Sequence, residues 1–302
     1  MSTDGASAAR GDRADDRVVV EPDVVFGTGG GRELRCDIYH PPGGHPSGNG
    51  AEPRPCIVLV HGGAWRMGDR SQLRGYGILL GRLGYVCVAP EYRLTPESPW
   101  PAQIHDVNAA VRWVRANAER LGIDPDRIAL EGNSAGAHLA LLAAGTSHLD
   151  VFQGDGGNPG VPTDVAAVVG IYPPTLFATG ERARGSVPLA ALSEDDDAEV
   201  ARLASPITHV RPGFPPTMLI HGTHDTTVPA SASLVMYEAL ATARVPVELH
   251  MYAEQPHAFD AAPAFGRQCA AEMHLFLERY LRPRDRDPAA AGSAPEGTAQ
   301  DA

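Results

Sequence analysis

No lysine occurs anywhere in the 302 residues; all 25 basic side chains are arginine. A Schiff-base lysine, a Ser–Lys dyad and a P-loop lysine are therefore excluded as chemistry. Cysteine is scarce too. Cys36, Cys56, Cys87 and Cys269 are widely spaced and form neither a C-x-x-C pair nor a Cys/His metal spacing. They are expected to be buried free thiols in a reducing compartment, which makes the chain read as cytoplasmic. No apolar run reaches transmembrane length, and residues 1–17 lack the apolar stretch of a secretory signal, so no membrane insertion is expected. Positive charge is outweighed, 25 basic against 37 acidic residues for a net charge of -12, which argues against nucleic acid or an anionic membrane surface as partner.

What is present is an alternation of buried strands and amphipathic helices. Residues 18–26 and 34–39 read as an opening strand and its hairpin partner. Cys56-Ile57-Val58-Leu59-Val60 is then a continuous apolar run, as expected of a strand covered on both faces. Similar runs lie at 86–89, 128–130, 165–171, 218–220 and 247–251. Between them, Ile104, Val107, Val111, Val114, Ala118 and Leu121 recur at helical steps and predict one helix over 102–121. Helices are also expected from Ala135 onward, at 231–242 and at 263–281. This predicts an α/β fold with a mostly parallel twisted sheet and helices on both faces. Residues 18–282 are expected to form one domain, flanked by disordered tails at 1–17 and 283–302. Residues 173–216 are proline-rich and aperiodic, with the acidic run Glu194-Asp195-Asp196-Asp197, and are expected to be a lid over the site.

The chemistry-bearing residues fall at predicted strand ends. Gly132-Asn133-Ser134-Ala135-Gly136 is a G-x-S-x-G pentapeptide between a short strand and an Ala/Leu-rich helix, and it presents Ser134 as a nucleophile on a tight turn. A serine hydroxyl needs a base, an orienter for the base and donors for the developing oxyanion. His61-Gly62-Gly63-Ala64-Trp65 follows the strand ending at Val60. Its Gly63 and Ala64 N–H groups, with that of Ala135, are the candidate donors, and Gly62 shapes the turn. Asp225 closes His221-Gly222-Thr223-His224-Asp225 after the strand at 218–220 and is the candidate orienter; as an alternative it caps the helix that follows. His257 lies in the loop after the strand at 247–252 and is the candidate base, with His224 as its rival. His138 is expected to pack, and His40, His45, His148, His209 and His274 to be surface or packing residues. The order Ser134, Asp225, His257 is that of an α/β-hydrolase triad. Trp65, Tyr172, Phe177 and Phe259 are candidate substrate-pocket residues. His221 and His224 lack a third ligand at recognisable spacing, which disfavours a metal. Gly27-Thr28-Gly29-Gly30-Gly31 fails as a dinucleotide fingerprint because no helix follows it.

Several further motifs stand in order: His61 to Asp69, Glu91 to Glu97, Pro101 to Asp106, Gly132 to Leu139, His221 to Asp225 and Pro256 to Phe259. On these the chain resembles the α/β-hydrolases of the hormone-sensitive-lipase-like and bacterial feruloyl-esterase-like (BD-FAE) branch, over roughly residues 20–282. Asn133 departs from the Asp or Glu common there, and Ala64 and Ala137 from glycine. The resemblance implies a carboxylic-ester hydrolase acting through an acyl-enzyme, with no metal or organic cofactor and a small-molecule ester as substrate. Two alternatives stay open: an arylformamidase-like amide hydrolase, and a non-hydrolytic receptor, lyase or cyclase on the same fold. A homodimer also stays open.

Overall fold

The computed structural model describes residues 17–43, 52–181, 183–195 and 197–281. The expected tails (all but Arg17), His45 and Asp196 lie outside them. The strands are β1 (Val19–Gly29), β2 (Arg32–His40), β3 (Arg54–Val60), β4 (Val86–Pro90), β5 (Ile123–Asn133), β6 (Ala167–Ile171), β7 (Phe177–Ala178), β8 (Val187–Pro188), β9 (Thr217–Gly222) and β10 (Val247–Tyr252). The helices are α1 (Arg74–Arg82), α2 (Ala102–Ala116), α3 (Ala118–Leu121), α4 (Ala135–Thr146), α5 (Ala198–Ala204), α6 (Ser231–Thr242) and α7 (Pro263–Tyr280). Eight strands form one sheet in the order β1-β2-β4-β3-β5-β6-β9-β10, in which β2 alone runs against the rest.

Alternate residues of the central strands supply two cores. On β3, Cys56, Val58 and Val60 point into the core built with α2, α4 and α6. Ile57 and Leu59 point into the opposite core, which α1 closes with Tyr76 and Leu80 and α7 with Met273 and Phe276. This strict alternation is why the strands read as continuous apolar runs. The register brings the strand ends level: Val60 pairs with Gly132, Asn133 with Ile171, Ile171 with Ile220, and Gly222 with Tyr252. The loops leaving β3, β5, β6, β9 and β10 therefore open at one edge, where open parallel sheets gather ligands.

One expectation changes in detail. The helix at 102–121 divides at Asn117, whose side-chain amide donates to the Trp113 carbonyl and so competes with the helical ladder. Of the expected lid, the described residues 173–181, 183–195 and 197–216 form an irregular segment. They hold β7, β8 and α5 and pack beside α4 and α6: Thr175 donates to Ala232 O, and Ala204 O accepts from His138.

Candidate active site

Ser134 stands between β5 and α4 with φ 54° and ψ -117°, a strained conformation for a residue with a Cβ. The turn closes this tightly because its neighbours have no side chain. A Cβ on Gly132 would lie 2.4 Å from the Gly136 backbone, and one on Gly136 would lie 1.9 Å from Val60 O. The strand, the helix behind it and the end of β3 thus meet at van der Waals contact, and the Ser134 hydroxyl is left facing the edge of the sheet.

His257 reaches it from the loop after β10, with Nε2 3.0 Å from Ser134 Oγ. Its Nδ1 donates to Asp225 Oδ2 at 2.6 Å. The other oxygen of Asp225 accepts the Thr227 and Val228 amides at 2.8 and 2.9 Å, so orienter and turn cap are the same residue. His221, fully buried, sits with Nε2 3.3 Å from Asp225 Oδ2 and accepts at Nδ1 from Ser233 Oγ at 2.7 Å. Burial pushes the Asp225 pKa upward, but the hydrogen bonds from His221, His257 and the Val228 amide outweigh it and hold the carboxyl well below its usual range. A charged carboxylate beside Nδ1 fixes the tautomer in which Nε2 can accept a proton from Ser134. The two loops are joined through their backbones, Thr223 N to Tyr252 O at 2.9 Å and His224 N to Gln255 O at 3.0 Å. His224 itself is exposed, and the imidazole at hydrogen-bond distance from Ser134 is that of His257.

The loop after β3 turns back on itself beside Ser134. Gly63 has φ 119°, and a Cβ there would lie 2.0 Å from Met67 O, so only glycine fits. Its carbonyl accepts the Arg66 and Met67 amides, while among the described residues the Gly63 and Ala64 amides have no partner. Ala135 is the first residue of α4, whose N–H precedes the helical ladder. His61 and Tyr92 brace the loop from below, with rings stacked at 4.2 Å and the Tyr92 hydroxyl donating to His61 O. Burial lowers the His61 pKa, so the imidazole there is neutral.

A cavity of about 930 Å³ opens at these groups, lined by Gly62, Gly63, Ala64, Ser134, Tyr172 and His257 among others. Of the four aromatic pocket candidates, only Tyr172 lines it. Trp65 is turned into the core, where Nε1 donates to His138 Nδ1 at 3.1 Å and the ring packs on Phe177. Phe177 packs on His138 in the same cluster, and Phe259 is buried against Tyr252 and Phe265. Each buries a large apolar face that the cavity edge cannot cover. His138, fully buried, donates from Nε2 to Ala204 O, and burial lowers its pKa to about 4. A separate hollow of about 340 Å³, lined by Leu176, Phe177, Arg202 and Thr208, has no triad residue in its walls.

The polar side of the cavity has no motif in the sequence. Asp260 accepts from the Tyr76 hydroxyl at 2.8 Å, the Tyr172 hydroxyl at 2.5 Å and the Asn133 side-chain amide at 2.7 Å. Burial and the Asp260 charge raise the Tyr172 pKa far above its usual value, so Tyr172 stays a donor, and its ring packs 4.5 Å from that of His257.

Residues 36–240 match the BD-FAE family model. The chain belongs to the BD-FAE family. The match includes Ser134 and Asp225 and ends before His257. Esterase LipC of Mycobacterium tuberculosis is 38% identical over 249 residues, 77% of this chain and 60% of that protein. A truncated carbohydrate esterase from gut microbiota superposes with a TM-score of 0.76 at 26% identity, covering 90% of this BD-FAE chain and 99% of the other. The butyrate-bound structure of the Thermogutta terrifontis esterase Est2 gives 0.72 at 26% identity, covering 88% and 96%. This chain spans about 60% of the length of the curated relatives it matches.

Proposed function

We propose that this BD-FAE chain is a serine carboxylesterase that hydrolyses small to medium esters through an acyl-enzyme, with residues 18–282 as its catalytic domain. Ser134 Oγ attacks the ester carbonyl while His257 Nε2 takes its proton. The imidazolium formed is stabilised by Asp225 and then protonates the departing alkoxide. Water, deprotonated by the same nitrogen, attacks the acyl-Ser134 ester and releases the acid. Gly63, Ala64 and Ala135 supply the amides for the oxyanion on the turn shaped by Gly62, each donor contributing about 3 kcal/mol to the transition state.

One observation carries the reading: a serine hydroxyl 3.0 Å from an imidazole whose other nitrogen is 2.6 Å from a buried carboxylate. The esterase relatives, and the butyrate held by the Thermogutta terrifontis enzyme, favour a short acyl ester over an amide. The test is turnover of p-nitrophenyl esters of rising acyl length, with N-formylkynurenine alongside. Ser134→Ala is expected to lower kcat by at least about 10⁴. Parent-rate hydrolysis by that variant, or faster turnover of the formamide than of any ester, would end the reading.

A further inference from the structure

The cavity is longer than the reacting centre requires. From Ser134 it runs into the groove between two helices on one face of the sheet, walled by Tyr76, Leu79 and Arg82 of α1 and by Pro263, Gly266 and Arg267 of α7. These positions step by three and four, so one face of each helix lines it. From Tyr76 to Arg82 the helix rises roughly 9 Å. Leu73, Ile78 and Leu79 add apolar surface to its walls.

Charge is distributed unevenly along it. The carboxylate lining the cavity, Asp260, is engaged by three donors near the serine. Arg82 and Arg267 line the same cavity, both are exposed, and neither makes a hydrogen bond or ion pair among the described residues. A cation in the last turn of α1 is what a helix dipole favours. Arg267 has no such explanation, since it lies near the start of α7, where the dipole gives a cation nothing. In a chain of net charge -12, two unpaired guanidiniums on facing helices of one cavity leave that part of the cavity positive.

We propose that Arg82 and Arg267 form a specificity subsite for esters in which an apolar arm ends in a carboxylate. Guanidinium groups bind carboxylates through paired N–H donors, and the apolar surface of the walls takes up the arm. The inference rests on the carboxylesterase reading above and names the substrate class for the same site.

The test compares matched esters in wild type and the Arg82→Gln/Arg267→Gln variant. One pair carries the charge on the acyl arm, p-nitrophenyl hemisuberate against p-nitrophenyl octanoate. The other carries it on the alcohol arm, the butyrate ester of ω-hydroxyoctanoate against octyl butyrate. The readout is the ratio of kcat/KM for the anionic over the neutral member, from which a general loss of active protein divides out. In one pair the variant's ratio is expected to fall by about tenfold at low salt, and the wild-type preference to shrink as salt rises. A second variant probes the groove itself. A Cβ at Gly75 meets nothing within 4 Å, so Gly75→Leu projects into the cavity. It is expected to lower kcat/KM for the long-armed substrates relative to p-nitrophenyl acetate. Ratios unchanged by the double substitution in both pairs, while p-nitrophenyl acetate is hydrolysed by wild type, would overturn the subsite alone. Failure of wild type to hydrolyse any ester would instead overturn the carboxylesterase reading on which it stands.

Discussion

Asn133, the residue before the candidate nucleophile, donates its side-chain amide to Asp260 at 2.7 Å and to the Tyr172 hydroxyl at 2.9 Å. The relationship explains why an amide rather than an acid stands beside Ser134. A carboxylate at 133 would place a second acceptor, with a second negative charge, against Asp260. Asn133→Asp is predicted to lower stability by about 1–3 kcal/mol, through the lost donor and the repulsion. Adding Asp260→Asn should restore most of it, and urea midpoints of the two singles and the double give the coupling.

The bond from Trp65 Nε1 to His138 Nδ1 ties the loop after β3 to the inside of α4. Trp65→Phe keeps the apolar ring but leaves a fully buried imidazole nitrogen without its donor. A loss of about 1–2 kcal/mol is predicted, measured by thermal unfolding. Because Trp65 follows Ala64 directly, kcat on p-nitrophenyl butyrate should fall more than KM changes.

Asp225 predicts the acid side of the stability curve. Its folded pKa is held below its unfolded value of about 3.9. The unfolded chain therefore takes up this proton first as pH falls. The stability it contributes is fully present above that unfolded value and drains away through lower pH. Asp225→Asn should be less stable than wild type at pH 7 yet lose less stability on titration from pH 5 to pH 3, as followed by thermal melts.

Glu131 predicts the opposite slope. It is fully buried on β5, and neither carboxyl oxygen has a hydrogen-bond partner among the described residues. Burial first, then the charge of Asp260, raises its pKa well above the ordinary carboxyl value. The folded chain therefore retains a proton that the unfolded chain loses above about pH 4.3, so this residue costs stability as pH rises. Glu131→Gln resembles the neutral acid in shape and removes that penalty. Its melting temperature relative to wild type is predicted to rise as pH is raised above that unfolded value.

The parallel strands were legible because each is covered on both faces and so reads as an unbroken apolar run. Ser134, Asp225 and His257 could be singled out as candidates because each follows such a run, and the structure brings the three side chains together. Helix α1 was not: Gly75, Gly77 and Gly81 lower its helix propensity, yet Gly77 is required because a Cβ would lie 2.6 Å from the Tyr39 ring. That contact is tertiary and leaves no local pattern. The same holds for the pocket aromatics. Trp65, Phe177 and Phe259 sit beside motif residues in the chain, but only the packing decides that they face the core. Asp260 offered only an acid after His-Ala-Phe, because its partners Tyr76, Asn133 and Tyr172 come from three distant segments.

The proposed mechanism requires Ser134 to be the hydroxyl that His257 activates. Incubation with a fluorophosphonate, followed by intact-mass and peptide analysis, reads this out. One adduct per chain is expected on the peptide containing Ser134, with loss of p-nitrophenyl butyrate hydrolysis in step with its formation, and no adduct on Ser134→Ala. Labelling at another residue, or full hydrolysis by a chain already modified at Ser134, would contradict it.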